Sequence, residues 1–355
     1  MPPALSLAYW LGPWAEGRSP AGVTRRTVRL ESPRGDVSTY VYDARERPRG
    51  IYVVAQGMHY LGPDDPRLDR FCRVLARAGF RVYAPMLRDF LALRMAETAA
   101  DDLALAVTLA AADARLLDLA KPTLMSISFG SRPAITVASG AHADEIASLI
   151  LFGGFVDFDA TIRFAITGRA THEARTLSVA RDPLNAPVVF LNLLPFLETE
   201  ARRDVVAEAW REMVVRTWGK MELKVDGARD AIARDIAERL TPIERDLFLR
   251  GCTLCSPAAA ERLLDEGLVR AKSAFSWTDP HADLARVRAP ITIVHGRDDD
   301  VIPVFEAEKL ACAVPSARLL VTGMYGHTGS AFPSSRALAA ELTTLARVVR
   351  TLAQT

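Results

Sequence analysis

The chain has 355 residues, half of them hydrophobic, which is enough to bury one large core together with an accessory element. This composition excludes a disordered chain, and because Lys plus Arg (44) nearly balances Asp plus Glu (43), no field of one sign would attract nucleic acid or anionic lipid. We therefore expect a small-molecule partner, with no nucleic acid and no membrane insertion.

The first segment, residues 1–19, is predicted to be an arm that docks on the fold. Its apolar stretch before Trp14 has no basic start and no small-residue cleavage site, so it does not look like a secretory signal. No later apolar run approaches the roughly 18 residues needed to span a bilayer. We expect a cytoplasmic protein, and the sequence leaves the oligomeric state open, including a homo-oligomer.

The next elements are two β-rich pieces at 27–30 and 39–42, separated by a turn-prone segment at 32–35. They predict a hairpin at a sheet edge. From residue 51, short apolar runs alternate with amphipathic helices, which predicts an α/β fold with a mostly parallel sheet covered on both faces. The successive segments are 51–55, 67–78, 82–84, 99–117, 123–126, 132–139 and 148–152.

The alternation stops at Gly153 and Gly154 and resumes near Pro290, with segments at 291–295, 305–313, 318–322 and 336–352. The residues in between have a 3.6-residue apolar periodicity, which predicts an inserted helical unit. We therefore divide the chain into a core (20–154 and 283–355) and a helical insertion (155–282). One helical stripe of the insertion contains Val205, Val206, Ala209, Trp210, Met213, Val214 and Thr217.

Two helices of the insertion carry explicit start signals. Thr241 and Pro242, followed by Glu244, give an N-cap, a proline at the first helical position and a capping-box acid, and Ser256 with Pro257 repeats the first two signals.

A short motif, Ser126-Ile127-Ser128-Phe129-Gly130, follows the predicted strand 123–126 and leads directly into a helix. It resembles the nucleophile elbow of the α/β-hydrolase superfamily, a tight strand-to-helix turn that needs small residues two positions before and two after the serine. Ser126 departs from the glycine usual in the family. The resemblance implies that Ser128 is the nucleophile, and it covers about residues 50–152 and 285–352.

A serine nucleophile needs a base, which in this superfamily is a histidine after the last strand. Of the six histidines, His327 follows the final predicted strand, in Gly323-Met324-Tyr325-Gly326-His327-Thr328-Gly329. Its position matches the catalytic histidine of the family.

The acid that orients this histidine is expected after the preceding strand, where the sequence reads His295-Gly296-Arg297-Asp298-Asp299-Asp300-Val301-Ile302-Pro303. The segment looks like the HGxxDxxxP pattern of the superfamily, which puts Asp299 in the catalytic place. Asp157 or Asp159, after the strand near Phe152, is an alternative, since some relatives carry the acid there.

The family also implies an oxyanion hole made by two backbone amides, here those of Met58 and Phe129. Met58 follows Gln56-Gly57, where relatives commonly have His-Gly.

The resemblance implies a serine esterase or lipase-like enzyme that needs no metal and no cofactor, acts on a small-molecule ester, and carries its helical insertion as a cap over the serine. An acyltransferase or thioesterase with the same triad remains an alternative, as does a non-catalytic binding protein on this fold. Candidate pocket-lining aromatic residues in the insertion, which equally fit the core of the cap, are Phe155, Phe158, Phe164, Phe190, Phe196, Trp210 and Trp218.

The four cysteines are too scattered for a disulfide scaffold. Cys252 and Cys255 form a CxxC pair, but the pair is predicted to follow a helix, whereas redox motifs open one. No second Cys or His pair stands at zinc-ligand spacing.

Overall fold

The computed structural model describes residues 1–12, 15, 17–225, 227–323, 325–326, 329–330 and 338–354. The strands are β1 (Val23–Leu30), β2 (Val37–Ala44), β3 (Gly50–Ala55), β4 (Phe80–Pro85), β5 (Thr123–Ile127), β6 (Ser148–Phe152), β7 (Arg169–His172), β8 (Arg175–Ser178), β9 (Ile291–Gly296), β10 (Arg318–Thr322), β11 (Tyr325–Gly326) and β12 (Gly329–Ser330). The helices are α1 (Pro3–Leu11), α2 (Pro66–Arg77), α3 (Arg88–Leu91), α4 (Ala99–Leu116), α5 (Ser131–Ser139), α6 (Phe158–Thr167), α7 (Ala186–Leu193), α8 (Arg203–Thr217), α9 (Asp230–Ala237), α10 (Pro242–Gly251), α11 (Pro257–Ala271), α12 (His281–Leu284), α13 (Val304–Ala313) and α14 (Leu338–Ala353).

The central sheet has eight strands in the order β1-β2-β4-β3-β5-β6-β9-β10. β2 runs antiparallel to both of its neighbours, and every other neighbouring pair in this sheet is parallel. The predicted hairpin at the sheet edge and the mostly parallel sheet are both confirmed. Because β5, β6, β9 and β10 are parallel neighbours, their carboxyl ends lie along one edge of the sheet.

Helices cover both faces of the sheet, as the alternating pattern predicts. β3 is buried along its whole length, and its side chains divide by the two-residue period of a strand. Ile51, Val53 and Ala55 pack in the apolar cluster that contains α4 and α5. Tyr52 and Val54 pack in the opposite cluster, which contains residues of α1, α2 and α14.

Within the N-terminal arm, residues Pro3–Leu11 form the helix α1. α1 contacts α2 and α14, and its Leu7 is fully buried in the second apolar cluster. Tyr52 of β3 donates a hydrogen bond to the carbonyl oxygen of Leu352 (2.9 Å), which ties α14 to the same face. Within the described part of the chain, no helix is long and apolar enough to cross a membrane.

The residues between β6 and β9 form helices α6 to α12, in agreement with the predicted helical periodicity. On α8, the stripe predicted from the sequence is buried, with the exception of the partly buried Val205. α10 begins with the predicted capping box: Glu244 accepts a hydrogen bond from the Thr241 amide (3.0 Å), and Thr241 accepts one from the Glu244 amide (3.5 Å). α11 begins at Pro257 as predicted, although the Ser256 side chain makes no capping hydrogen bond.

The insertion is not entirely helical, which corrects the expectation from the sequence. β7 and β8 form a two-stranded hairpin directly after α6. α6 ends at Gly168 in the left-handed conformation (φ +68°), and the Val179 amide donates to the Gly168 carbonyl oxygen (2.9 Å) to close the hairpin. Four-residue strands are too short for an alternating pattern to stand out within a helical region, so no pattern in this segment predicts them.

Candidate active site

Ser128 lies at a strained turn between β5 and α5. Its φ angle is +54°, in the left-handed region that residues with a side chain rarely adopt. A short 3-10 turn over Ser128–Gly130 joins the strand to the helix. The tight turn that the sequence motif predicts is therefore present, and such strain in the backbone is typical of functional positions.

The two small residues of the motif have different environments. A Cβ atom at Gly130 would lie 2.4 Å from the carbonyl oxygen of Gln56, so only glycine fits there without a backbone shift. Ser126, which replaces the glycine usual in the family, is fully buried, and its hydroxyl donates to the Ile150 carbonyl oxygen on β6 (3.4 Å). The sheet thus accommodates Ser126 without loss of the turn.

The loop after β3 lies against the serine. A Cβ atom at Gly57 would be 3.2 Å from Cβ and 3.8 Å from Oγ of Ser128, so the glycine allows the two backbones to come close. The amide of the next residue, Met58, donates no hydrogen bond to any residue that the structure describes. Met58 and Phe129, the predicted oxyanion-hole residues, both line the same pocket as Ser128.

Asp299 is the buried member of the three consecutive aspartates after β9. Its Oδ1 accepts hydrogen bonds from the amides of Val301 (2.9 Å) and Ile302 (2.7 Å), and the residue is 3% exposed. Its Oδ2 lies 3.8 Å from Nε2 of the fully buried His295, and that Nε2 donates to the Ile302 carbonyl oxygen (2.9 Å). Backbone amides therefore fix the Asp299 carboxylate in one orientation.

The neighbouring aspartates differ from Asp299. Asp298 is exposed, and Asp300 forms an ion pair with Lys224 of the insertion (2.8 Å). Of the three, only Asp299 is directed into the interior of the molecule.

The alternative acids after β6 have structural partners. Asp157 caps α6 by accepting from the Ala160 amide (2.9 Å), and its other oxygen pairs with Lys309 (3.3 Å). Asp159 is exposed and pairs with Arg163 on the surface of the same helix. Neither residue lines the pocket that contains Ser128, and Asp299 does not line it either, although Val301 of the same loop does.

His327 lies outside the residues that the structure describes. The preceding residues, Thr322 and Gly323, lie at the end of β10, next to the end of β9 where the Asp299 loop begins. They are held there by Glu341, whose carboxylate accepts hydrogen bonds from the Thr322 hydroxyl (2.9 Å) and the Gly323 amide (2.8 Å). Burial by itself raises the pKa of Glu341, but these two hydrogen bonds and the Arg297 guanidinium hold the pKa below its usual value. β11, which follows, contacts β9.

A pocket opens over Ser128 between the sheet edge and the insertion. It encloses about 620 Å³ of empty space, part of which is open to solvent. The core contributes Met58, Met95, Ser128, Phe129 and Val301, and the insertion contributes Phe158, Ile162, Ala165, Asn185, Val188, Val189, Asn192, Leu193 and Trp218.

The sequence predicts only part of this lining. Of the aromatic candidates, Phe158 and Trp218 line the pocket. Phe164, Phe190 and Trp210 are fully buried instead, as aromatic residues in a cap core would be. The aliphatic and amide residues of α6 and α7 were missed, because their helical spacing is the same as that of ordinary core positions. One feature of the sequence could have distinguished these pocket residues from core residues: the apolar run of α7 contains an amide, Asn192.

The CxxC pair lies after α10 and away from the pocket lining. Burial raises the pKa of the Cys252 thiol, and it also raises that of the half-buried Cys255. A thiol with a raised pKa is a poor nucleophile, so a redox role for the pair has no support.

Comparison with known proteins gives one partial sequence match. No protein-family model matches the chain. RutD of Pseudomonas savastanoi pv. phaseolicola, to which carbamate hydrolase activity is ascribed, is 34% identical over 65 residues. The match spans 18% of this chain and only a quarter (25%) of that relative.

Two of the solved structures that resemble this chain are esterases. A bacterial brefeldin A esterase, a homologue of human hormone-sensitive lipase, superposes with a TM-score of 0.51 at 14% identity, over 99% of this chain and 85% of the esterase. An esterase of Pyrococcus furiosus gives a TM-score of 0.49 at 12% identity, over 93% and 91% of the two chains. The strand order, the turn at Ser128 and the brefeldin A esterase match together show that the chain has the α/β-hydrolase fold, which confirms the resemblance seen in the sequence.

Proposed function

We propose that this protein is a serine hydrolase that cleaves a carboxylic ester of a hydrophobic small molecule through an acyl-enzyme intermediate. The observation that carries the proposal is the conformation of Ser128. Its strained turn (φ +54°) directs a hydroxyl, which makes no hydrogen bond within the described residues, to a pocket with a mostly apolar lining. Such strain persists in a native fold only where the surrounding structure enforces it, and an exposed nucleophile is its usual purpose.

In the proposed reaction, Ser128 Oγ attacks the ester carbonyl carbon while His327 takes the hydroxyl proton. Asp299, held by two backbone amides, orients the imidazole and stabilises its protonated form. The amides of Met58 and Phe129 donate to the oxyanion. His327 then gives its proton to the departing alcohol, and water, deprotonated in turn by His327, releases the acid and restores Ser128.

The related proteins support an ester-type substrate. The structural relative is named as an esterase, and the partial sequence relative is ascribed activity on a carbamate, whose carbonyl is also bonded to a heteroatom. We further propose that residues 155–282 act as a cap, because side chains of α6 and α7 form much of the pocket wall facing Ser128.

The nucleophile can be identified by labelling with a fluorophosphonate probe and measuring the intact mass. We expect one adduct on the wild-type protein and none on Ser128→Ala. Ser131→Ala is the matched control, because the Ser131 hydroxyl is fully buried and unpartnered within the described residues, so that variant should label normally. His327→Ala and Asp299→Asn should lower the kcat for p-nitrophenyl butyrate hydrolysis by about 10³-fold or more.

The proposal fails if the wild-type protein neither labels nor turns over any ester, or if labelling persists in Ser128→Ala. Product analysis with added alcohols distinguishes hydrolysis from acyl transfer, since the free acid is the expected main product in water.

A further inference from the structure

The pocket over Ser128 contains two side-chain amides in an otherwise apolar wall. Apart from Ser128, the polar side chains of its described lining are Asn185 and Asn192, and none of these lining residues carries a charge. A charged group on the substrate would lose its hydration there without gaining an opposite charge. The described lining therefore fits an uncharged molecule.

The side chain of Asn192 makes three hydrogen bonds, two of which hold the insertion to the core. Its Oδ1 accepts from the Met95 amide (2.7 Å), and its Nδ2 donates to the carbonyl oxygens of Leu93 and Val188 (both 2.9 Å). It joins α7 to the loop after α3. This amide has no donor left to offer a ligand.

Asn185 differs from Asn192. Its side chain makes no hydrogen bond with any residue that the structure describes, although its position is fixed by the loop before α7. In that loop Asp182 is buried, accepts from the Leu184 amide (2.9 Å) and pairs with Lys224 (2.7 Å). A half-buried carboxamide beside apolar side chains has few ways to satisfy its donor and acceptor other than a ligand or water.

We infer that Asn185 is a specificity-determining residue that hydrogen-bonds a neutral polar group of the substrate. The substrate is then an uncharged ester whose apolar chain carries a keto or hydroxyl group at some distance from the scissile carbonyl. This inference rests on the proposed function, because it assigns the chemistry of the molecule that Ser128 attacks.

Matched esters test the inference on wild type and Asn185→Leu. One set is p-nitrophenyl hexanoate, its 4-oxo and 5-oxo analogues, and the mono-p-nitrophenyl ester of adipic acid, which carries a charge. A second set, hexyl acetate and its 4-oxo and 5-oxo analogues, places the keto group on the alcohol side.

In at least one set we expect wild type to prefer a keto ester over the plain ester by about tenfold in kcat/KM. Asn185→Leu should reduce that preference to near unity, because a leucine side chain cannot hydrogen-bond the keto group. The adipate monoester should be a poor substrate for both proteins.

The inference is overturned if wild type prefers no keto position in either set, or if the preference is unchanged in Asn185→Leu. Fluorophosphonate labelling of Ser128 in Asn185→Leu shows that the variant is folded and that the nucleophile is intact. Failure of the substrate inference would then leave the proposed hydrolase function standing, whereas failure of labelling in wild type would remove both.

Discussion

The imidazole of His59 is a partly buried titratable group beside the pocket, with its side chain 14% exposed. It stacks on Tyr60 (ring centroids 4.9 Å apart) and lies next to Trp218 (5.1 Å), which lines the pocket. Its Nδ1 accepts from the Leu61 amide (3.2 Å), so the neutral ring carries its proton on Nε2, which lies 3.3 Å from an oxygen of Asp65. Burial lowers the pKa of His59 to about 4, and the attraction of Asp65 only partly opposes this effect.

This lowered pKa predicts a loss of stability in mild acid. The unfolded chain binds a proton at His59 below a pH of about 6.5, whereas the folded chain does so only near pH 4, so the free energy of unfolding falls as the pH decreases between these values. The loss attributable to His59 is about 3 kcal/mol at pH 4 relative to pH 7. His59→Phe keeps the ring stacking and should remove this loss.

The measurement is urea unfolding of wild type and His59→Phe at several pH values from 4 to 7. Other groups that titrate in acid affect the stability of both proteins. The quantity to compare is therefore the difference in the free energy of unfolding between wild type and His59→Phe at each pH. Parallel curves over this range would contradict the lowered pKa.

Single residues of the candidate site differ in how far the sequence could predict them. Ser128 and Gly130 stand in a local motif whose geometry follows from sterics, and both have the expected conformation and space. No local sequence pattern marks Asn185, because the role proposed for its side chain depends on the helices and loops that surround it in the folded chain. His327 stays a prediction from its position in the chain.

Among the contacts between elements, an ion-pair cluster links the insertion to the loop after β9. Lys224 pairs with Asp182 (2.7 Å) before α7 and with Asp300 (2.8 Å), the residue next to Asp299. Burial by itself lowers the pKa of Lys224, but the two carboxylates outweigh this effect and hold the pKa above its usual value. The cluster therefore fixes a pocket wall relative to the predicted catalytic acid.

Replacing Lys224 by Met should leave two carboxylates close together without their cation. Because Asp182 is buried, we expect the free energy of unfolding to fall by about 3 kcal/mol and kcat/KM to fall by roughly tenfold or more. Both can be measured by urea unfolding and by hydrolysis of p-nitrophenyl butyrate.

Two further variants give this experiment its controls. Lys220→Met removes an exposed lysine from the same segment and should change little. Adding Asp182→Asn to Lys224→Met removes the uncompensated buried charge and should restore part of the stability. Equal stability of Lys224→Met and wild type would show that the cluster does not hold the insertion.

Secondary-structure elements were mostly predictable, since hydrophobic periodicity and capping residues act locally. The start of α10 at its capping box and the buried stripe of α8 are examples. The hairpin of β7 and β8 was missed because its strands are only four residues long, and because its two-residue turn, Glu173-Ala174, lacks the glycine or asparagine that marks a hairpin in a sequence.

For the molecule as a whole, one apolar cluster runs from the sheet into the insertion. It contains Val53 of β3, Leu124 of β5, Phe190 of α7 and Trp210 of α8. A smaller apolar cluster also joins the two parts, because it contains Val214 of α8 together with Leu93 of the core. An insertion that shares its core with the sheet should not unfold by itself.

We therefore predict that α8 and β3 open together. Hydrogen exchange with mass spectrometry at increasing, sub-denaturing urea should give the amides of both elements the same opening free energy, within about 1 kcal/mol, and the same urea dependence. α1, whose Leu5 and Tyr9 are exposed at the molecular edge, serves as the reference and should exchange earlier. A distinctly lower opening free energy for α8 than for β3 would show that the insertion is an independent unit.

The sequence by itself determined the α/β class, the edge hairpin, the helical character of most of the insertion and the turn at Ser128. Each of these depends on short-range sterics or on a periodic pattern within one element. Only the tertiary structure decided which side chains form the pocket and that Asp299 is the buried aspartate of its run. It also decided that, of the two asparagines lining the pocket, Asn192 is hydrogen-bonded and Asn185 has no hydrogen-bond partner within the described residues. Those outcomes depend on contacts between residues far apart in the chain, and a local pattern carries no information about which distant group will satisfy a hydrogen bond or exclude water.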